Sequence, residues 1–350
     1  WVGATAEQGF PVIDQNGATE YGTGVLQFNI HNGVRQSVAT SYLEQSNICP
    51  KLDIIAGAFV TKVLISGHQS THPTAYGVEF VKNNKKYVVK ANKEVIVSGG
   101  TYSSPQILML SGVGPRDELQ RLGIGPVWAD LPVGQYIQNH VGIVIPMIIK
   151  NTTYVLPAPD PNVEQLYDVT TNKAGPLLVL PITFLNMNSS VNTNWEYPDL
   201  TISSQVINRG GLSYTNIAPM GVRVDEWAKY FQDILNVDSL DVLPILTRPK
   251  SVGQIRLRSV NPMDLPIIEN NYFAHPDDIQ AILDGISYAY YLAEETSASK
   301  LIDINPQPIP GCQYCPTGPK WRCVSYHRCV IQQRALSFHH TTGSCRMGGA

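Results

Sequence analysis

The sequence predicts an α/β region followed by an α+β region, and three observations support this. Lys93 to Pro115, KEVIVSGGTYSSPQILMLSGVGP, runs from the β-branched trio Val95, Ile96 and Val97 through Gly99-Gly100 into a helix, as a buried parallel strand feeding a helix does. Beyond Pro146 that rhythm gives way to Asn-, Thr- and Pro-rich sequence. There, Asp199 to Ile207, Val242 to Leu246 and Gly253 to Leu257 alternate or run apolar like antiparallel strands. Finally, Ile279, Ile282, Leu283, Ile286, Ala289, Tyr290 and Ala293 recur at helical spacing behind Asp277 and Asp278, whose charges suit a helix N-terminus.

In chain order, the opening forty residues are polar and glycine-rich, with a turn at Asn16-Gly17 and a short helix expected over Gln36 to Leu43. Leu52 to Ala56 and Ala58 to Ile65 read as strands. Tyr76 to Val81 and Tyr87 to Ala91 read as a hairpin around Asn83-Asn84. In the central stretch, Gly99 and Gly100 permit positive φ and a close backbone approach. Ser104-Pro105 reads as a helix N-cap with proline at the first helical position, and Ile107, Leu108 and Leu110 supply the buried face. Leu52 to Ala56 and Glu94 to Ser98 are expected in one sheet. A strand, turn and helix in this order leave backbone N–H groups beside a helix N-terminus, where anions and cofactors bind in open α/β sheets. Further on, a short helix is expected over Asp225 to Leu235.

Composition narrows the function classes. Charged residues make up 15% of the 350, apolar residues 43%, and the net charge is −3 with no long basic block, so nothing argues for a nucleic-acid partner. It contains no apolar run long enough to cross a membrane as a helix. No G-x-S-x-G is present, which argues against a nucleophile-elbow hydrolase. No G-x-G-x-x-G follows a strand; Gly22-Thr23-Gly24 and Gly112-Val113-Gly114 lack the third glycine.

Six cysteines occur, four of them between Cys312 and Cys329. Their spacing suits either structural zinc, with His327 as a spare ligand, or a stapled loop. The five-residue gap between Cys323 and Cys329 and the Pro-Gly surroundings favour the loop, and no metal is expected. Two glycosylation sequons, Asn151-Thr152-Thr153 and Asn188-Ser189-Ser190, point with the cysteines to an oxidising compartment and a secreted, extracellular protein.

GGTYSSPQILMLSGVG resembles the second signature of the glucose-methanol-choline (GMC) flavin oxidoreductases, and further segments resemble that family in order: GVRQSVATSYL (Gly33 to Leu43), AFVTKVLI (Ala58 to Ile65), DLPVGQYIQNHVG (Asp130 to Gly142), RPKSVGQIRLRS (Arg248 to Ser259) and HTTGSCRMG (His340 to Gly348). PGC and WRC near the end resemble the arthropod glucose dehydrogenase-like branch. The resemblance implies an incomplete Rossmann-like FAD-binding domain over residues 1–135, a substrate domain over 136–338, and a return to the FAD domain over 339–350. It implies an internal fragment of an enzyme whose dinucleotide fingerprint and second catalytic His or Asn lie outside these residues, so the segment alone is expected to be inactive and to hold FAD weakly.

The same resemblance assigns roles. FAD is the implied cofactor, contacted by Val60, Gly99 and Gly100. A small-molecule alcohol is the implied substrate, with an electron acceptor such as oxygen or a quinone. His340 is the implied general base, and Ser344 stands where the family carries threonine. Histidine, with an ordinary pKa near 6.5, suits removal of a hydroxyl proton near neutral pH. Asn139 replaces the aspartate of the usual Gln-Asp-His pattern, and Asn139 and His140 are read as loop anchors without a catalytic role. Cys312 is paired with Cys323, leaving Cys315 with Cys329, and Cys345 is expected to pack as a small buried residue. Two other functions fit the same motifs: a family lyase that keeps FAD structurally, and a non-catalytic extracellular binding protein.

Overall fold

In the computed structural model, residues 1–44, 52–67, 72–150, 167–173, 175, 182–208, 224–234 and 237–347 are described. Cys49 and the sequon at Asn151 lie outside them. The chain divides into two compact units. One comprises Trp1–Pro50, His140–Lys250 and His275–His339; the other comprises Lys51–Asn139, Ser251–Ala274 and His340–Ala350. The units alternate along the chain, changing at Asn139/His140 and His339/His340 near the divisions at 135 and 338 that the sequence suggested, and also at Pro50/Lys51, Lys250/Ser251 and Ala274/His275. The opening segment belongs with the larger unit, because Gly22–Val25 pairs antiparallel with Ile182–Met187.

The larger unit is built on an antiparallel sheet, eight-stranded among the described residues. Ile182–Met187, Leu200–Asn208 and Asp238–Leu246 form its centre, and every residue of the last is buried. The Pro276–Glu295 helix packs on this sheet, burying Ile282, Leu283, Ile286, Ala289, Tyr290 and Ala293 of the set that the spacing marked, together with Ala281; Ile279 of that set is only half-buried. Its first turn uses both acids: Asp278 accepts from the Lys250 amide at 2.7 Å and Asp277 pairs with the Lys250 ammonium. The helix expected at Asp225 spans Val224–Phe231 and tightens into a 3₁₀ turn over Gln232–Ile234. The one expected from Gln36 is a π-helical turn, Ala39–Leu43.

The cysteine loop is stapled, with corrected pairing: Cys312 bonds Cys329 and Cys315 bonds Cys323. The loop folds back on the Val324–Arg334 helix, so the bridges nest rather than cross. Cys323, at the helix start, lies beside Cys315, whose N–H reaches the Cys323 sulfur at 3.0 Å. Below the loop, His327 is fully buried and stacked on Tyr290 with 2° between ring planes.

In the smaller unit, Phe59–Ser66, Thr74–Lys82 and Lys85–Lys90 form a three-stranded meander. Asn83 and Asn84 take φ of 51° and 58° in its hairpin turn, the left-handed pair that asparagine tolerates. The Gly100–Leu110 helix packs on the first of these strands. Its Met109 is fully buried with Leu110, Leu119, Val133 and Leu257, each side chain contributing about 1.5–3 kcal/mol of apolar burial.

Two strand expectations are overturned. Leu52 to Ala56 and Glu94 to Ser98 carry no strand ladder, and Ile96 is 77% exposed. A β-branched run becomes a strand only where neighbouring strands supply hydrogen bonds, and none among the described residues does so.

Candidate functional site

The site is built where the glycine turn meets the HTTGSCR segment. The helix starts at Gly100, four residues before the expected Ser104 cap, with Gly99 at the N-cap position. Only Gly100 uses left-handed backbone, at φ 80°, and a Cβ added there would meet nothing within 4 Å, so its outer face is open. Gly99 has φ −78°.

Pro105 therefore sits inside the helix, where its missing N–H deprives the Thr101 carbonyl of its i→i−4 partner. Ser344 fills the gap: its hydroxyl donates to the Thr101 carbonyl at 2.7 Å, and its side chain is buried. Two more bonds fasten the same segments. The Thr101 hydroxyl donates to the Thr341 carbonyl at 2.7 Å, and the Tyr102 and Thr341 hydroxyls lie 2.9 Å apart. A defect in one element is thus the docking point of another.

The 130–142 loop runs along the other side of this segment. Gly134 N–H donates to the Ser344 carbonyl at 2.7 Å, and Gln138 and Thr342 exchange backbone bonds at 3.0 and 2.9 Å. Gly343, at φ 89°, lies so close to Tyr136 that a Cβ there would stand 2.4 Å from the Tyr136 carbonyl. His340 is exposed, and its backbone N–H donates to Asn139 Oδ1 at 2.9 Å. Asn139 is 5% exposed, and its Nδ2 donates to the Tyr272 hydroxyl at 2.7 Å. Asn139 is the loop anchor that the sequence suggested. The backbone of His140 accepts from Phe338 N–H at 3.1 Å. His339 is exposed at φ 59°, a left-handed turn immediately before the candidate base.

A cleft of about 540 Å³ opens between the helix start and the segment after His340, with Gly100, Thr101, Ser104, Thr342 and Arg346 among its lining residues. Hydroxyls, a guanidinium and N-terminal backbone amides suit a polar, anionic group, and the open face of Gly100 leaves it room. These residues fit the phosphate-bearing part of a dinucleotide cofactor. Val60 lies on the Phe59–Ser66 strand, which among the described residues forms the edge of its sheet and has a strand partner on one side only. Ser111 ties this strand to the helix end, accepting from Val63 N–H at 2.8 Å while donating to the Ile107 carbonyl at 2.6 Å. Val63, three residues after Val60 on this strand, is therefore fastened to the end of the helix far from Gly100.

Sequence reasoning missed the roles of Thr101, Ser344 and Tyr272. The first two were signalled by Pro105, which requires some other donor for a helix carbonyl; nothing local marks Tyr272. Cys345, expected to be buried, is an exposed free thiol.

The N-terminal and C-terminal models of the GMC oxidoreductase family match residues 1–142 and 249–350. The chain belongs to the GMC oxidoreductase family. It is 30% identical over 353 residues to glucose dehydrogenase [FAD, quinone] of Drosophila pseudoobscura pseudoobscura, covering 99% of this chain and 52% of that one. It is 32% identical to the mitochondrial choline dehydrogenase of Homo sapiens, covering 99% of this chain and 53% of that one. The chain thus spans about half the length of the relatives that it matches. Among solved structures, a formate oxidase of Aspergillus oryzae RIB40 superposes with a TM-score of 0.76 at 23% identity, over 98% of this chain and 59% of that one. That likeness shows the shared fold.

Proposed function

We propose that the chain belongs to an FAD-dependent oxidoreductase that oxidises the CH–OH group of a small alcohol or sugar, with His340 as the general base. The observation that carries this reading is the fixing of the His340 segment. It is bonded to Asn139 on one side and, through Thr341 and Ser344, to the start of the glycine-turn helix on the other. The reading is supported by sequence continuity: two residues after His340 the segment begins to line the cleft suited to the cofactor, with Thr342, Gly343 and Ser344.

When bound, FAD supplies the hydride acceptor. The chain's own share is to hold the alcohol, take its hydroxyl proton on the His340 ring, and keep the reacting carbon aligned while its C–H bond breaks. The product is the carbonyl compound, and the proton leaves through the exposed imidazole. Gly100, Thr101, Ser104 and Arg346 would hold the anionic part of FAD, with the backbone edge at Val60 serving its adenine end. An electron acceptor, oxygen or a quinone, would then reoxidise the enzyme. The two disulfides agree with work in an oxidising, extracellular compartment.

In the complete protein, His340→Ala is expected to keep FAD bound and to slow alcohol-driven flavin reduction by about a hundredfold to ten-thousandfold, the usual contribution of a general base. His339→Ala is expected to be far milder. Anaerobic stopped-flow reduction across pH checks this: the limb that rises as a base deprotonates should vanish in His340→Ala and persist in His339→Ala. A greater loss in His339→Ala would remove His340 from the role.

A further inference from the structure

We propose that Asn139 is the positioning residue for His340, a buried amide that fixes the backbone of the base by accepting from it while using its other end to engage Tyr272. The inference rests on His340 being the base. Its structural part stands on hydrogen-bond chemistry alone.

The His340 backbone N–H can only donate, so the Asn139 atom facing it at 2.9 Å must be the carbonyl oxygen. That fixes the amide orientation and places Nδ2 against the Tyr272 hydroxyl at 2.7 Å. Nδ2 can only donate, so the Tyr272 oxygen accepts there. A two-ended side chain, 5% exposed, thus joins the His340 backbone to a tyrosine 133 residues along the chain from Asn139. Few residue types could replace it. Leucine would fill similar space with no hydrogen bond, and aspartate could accept from His340 N–H but would require Tyr272 to reverse and donate.

The backbone around this bond makes the anchor consequential. His339, Tyr136 and Phe273, none of them glycine, take φ of 59°, 62° and 58°, and Asn271 takes 54°. Each immediately precedes a partner of the network, or flanks it within three residues. Left-handed backbone at bulky residues persists only where surrounding bonds determine it. Without the Asn139 bond, the turn at His339 can relax toward ordinary φ and carry the His340 ring with it. A displacement of about 1 Å at a reacting group can cost about a hundredfold in rate.

The test compares Asn139→Ala, Asn139→Asp and Tyr272→Phe. Hydrogen exchange of the peptide covering residues 338–344 is read without any turnover, and flavin reduction across pH is read in the complete FAD-loaded protein. In Asn139→Ala, exchange at His340 should rise about tenfold, as expected for loss of one hydrogen bond, and the maximal reduction rate should fall tenfold to a hundredfold. Exchange in the Pro276–Glu295 helix, which belongs to the other unit, should stay at the wild-type rate. Asn139→Asp keeps the acceptor, so His340 exchange should remain within about twofold of wild type. Its added carboxylate should move the rising limb of the rate profile to higher pH by favouring the imidazolium. Tyr272→Phe should fall between the two.

Wild-type exchange at His340 in Asn139→Ala would overturn the proposal, as would exchange rising equally in all peptides, which would make Asn139 a general stabiliser. An unshifted pH limb in Asn139→Asp would overturn the coupling to the base. If the wild-type protein reduces no flavin with any alcohol, the functional reading fails, and the exchange measurements still decide whether Asn139 holds His340.

Discussion

At His327, burial determines both the tautomer and the pH behaviour. Nε2 lies 3.0 Å from the Lys320 carbonyl, an acceptor only, so Nε2 carries the proton, and Nδ1 faces the Ser287 hydroxyl at 3.2 Å. Burial pushes its pKa down to about 4, against an ordinary value near 6.5. The folded state resists a proton that the unfolded chain accepts. Stability is therefore complete above about pH 6.5 and is lost as pH falls toward about 4, by roughly 3 kcal/mol. Thermal unfolding followed between those values should show the loss, and His327→Gln should flatten it. Ser344 allows a second test at this scale. Ser344→Ala leaves the partly buried Thr101 carbonyl without its donor and should cost about 1 kcal/mol, whereas Ser344→Thr keeps the hydroxyl and should cost much less. Denaturant titration of the pair separates the hydrogen bond from the loss of a side chain.

Among the elements, the cysteine loop carries the clearest correction and the clearest measurement. Digestion without reductant should release fragments joined as Cys312–Cys329 and Cys315–Cys323. Reduction should destabilise the protein by about 2–4 kcal/mol. Local pattern made the long helix legible, because Ile282, Ile286 and Ala289 bury at the spacing that a 3.6-residue period demands. The hairpin was legible for a different reason: Asn83-Asn84 can adopt the left-handed pair that such a turn requires. Disulfide pairing was not legible, since it depends on how the loop folds back against a helix, which spacing does not encode. Val95, Ile96 and Val97 misled for a related reason. Strand propensity is a preference for a half-buried ladder, and a ladder needs neighbours. The helix start moved to Gly100 because a proline can lie inside a helix when another segment satisfies the carbonyl that it frees, and only the tertiary structure brings Ser344 there.

For the molecule as a whole, the candidate site was legible as motifs and illegible as a network. The segments that carry His340 and Gly100 could be marked from their motifs, and of the two glycines only Gly100 lines the cleft. The bonds that unite those segments span up to 243 residues, from Thr101 to Ser344, and no periodicity reports contacts at that separation. Similarly, the sequence placed an antiparallel sheet in the second half of the chain but not Gly22–Val25 at its edge, because four residues paired across 160 leave no local trace. The family membership and the fold rest on the comparisons, whereas the chemistry rests on whether a CH–OH donor delivers hydride with His340 taking the proton. The most direct test is anaerobic mixing of the complete FAD-loaded protein with sugars, sterol-like alcohols, choline and simple primary alcohols, following the flavin absorbance. At least one donor should bleach the flavin, more slowly when its carbinol hydrogen is replaced by deuterium. A flavin that stays oxidised with every alcohol, or one bleached equally fast with the deuterated donor and by His340→Ala, would contradict the account.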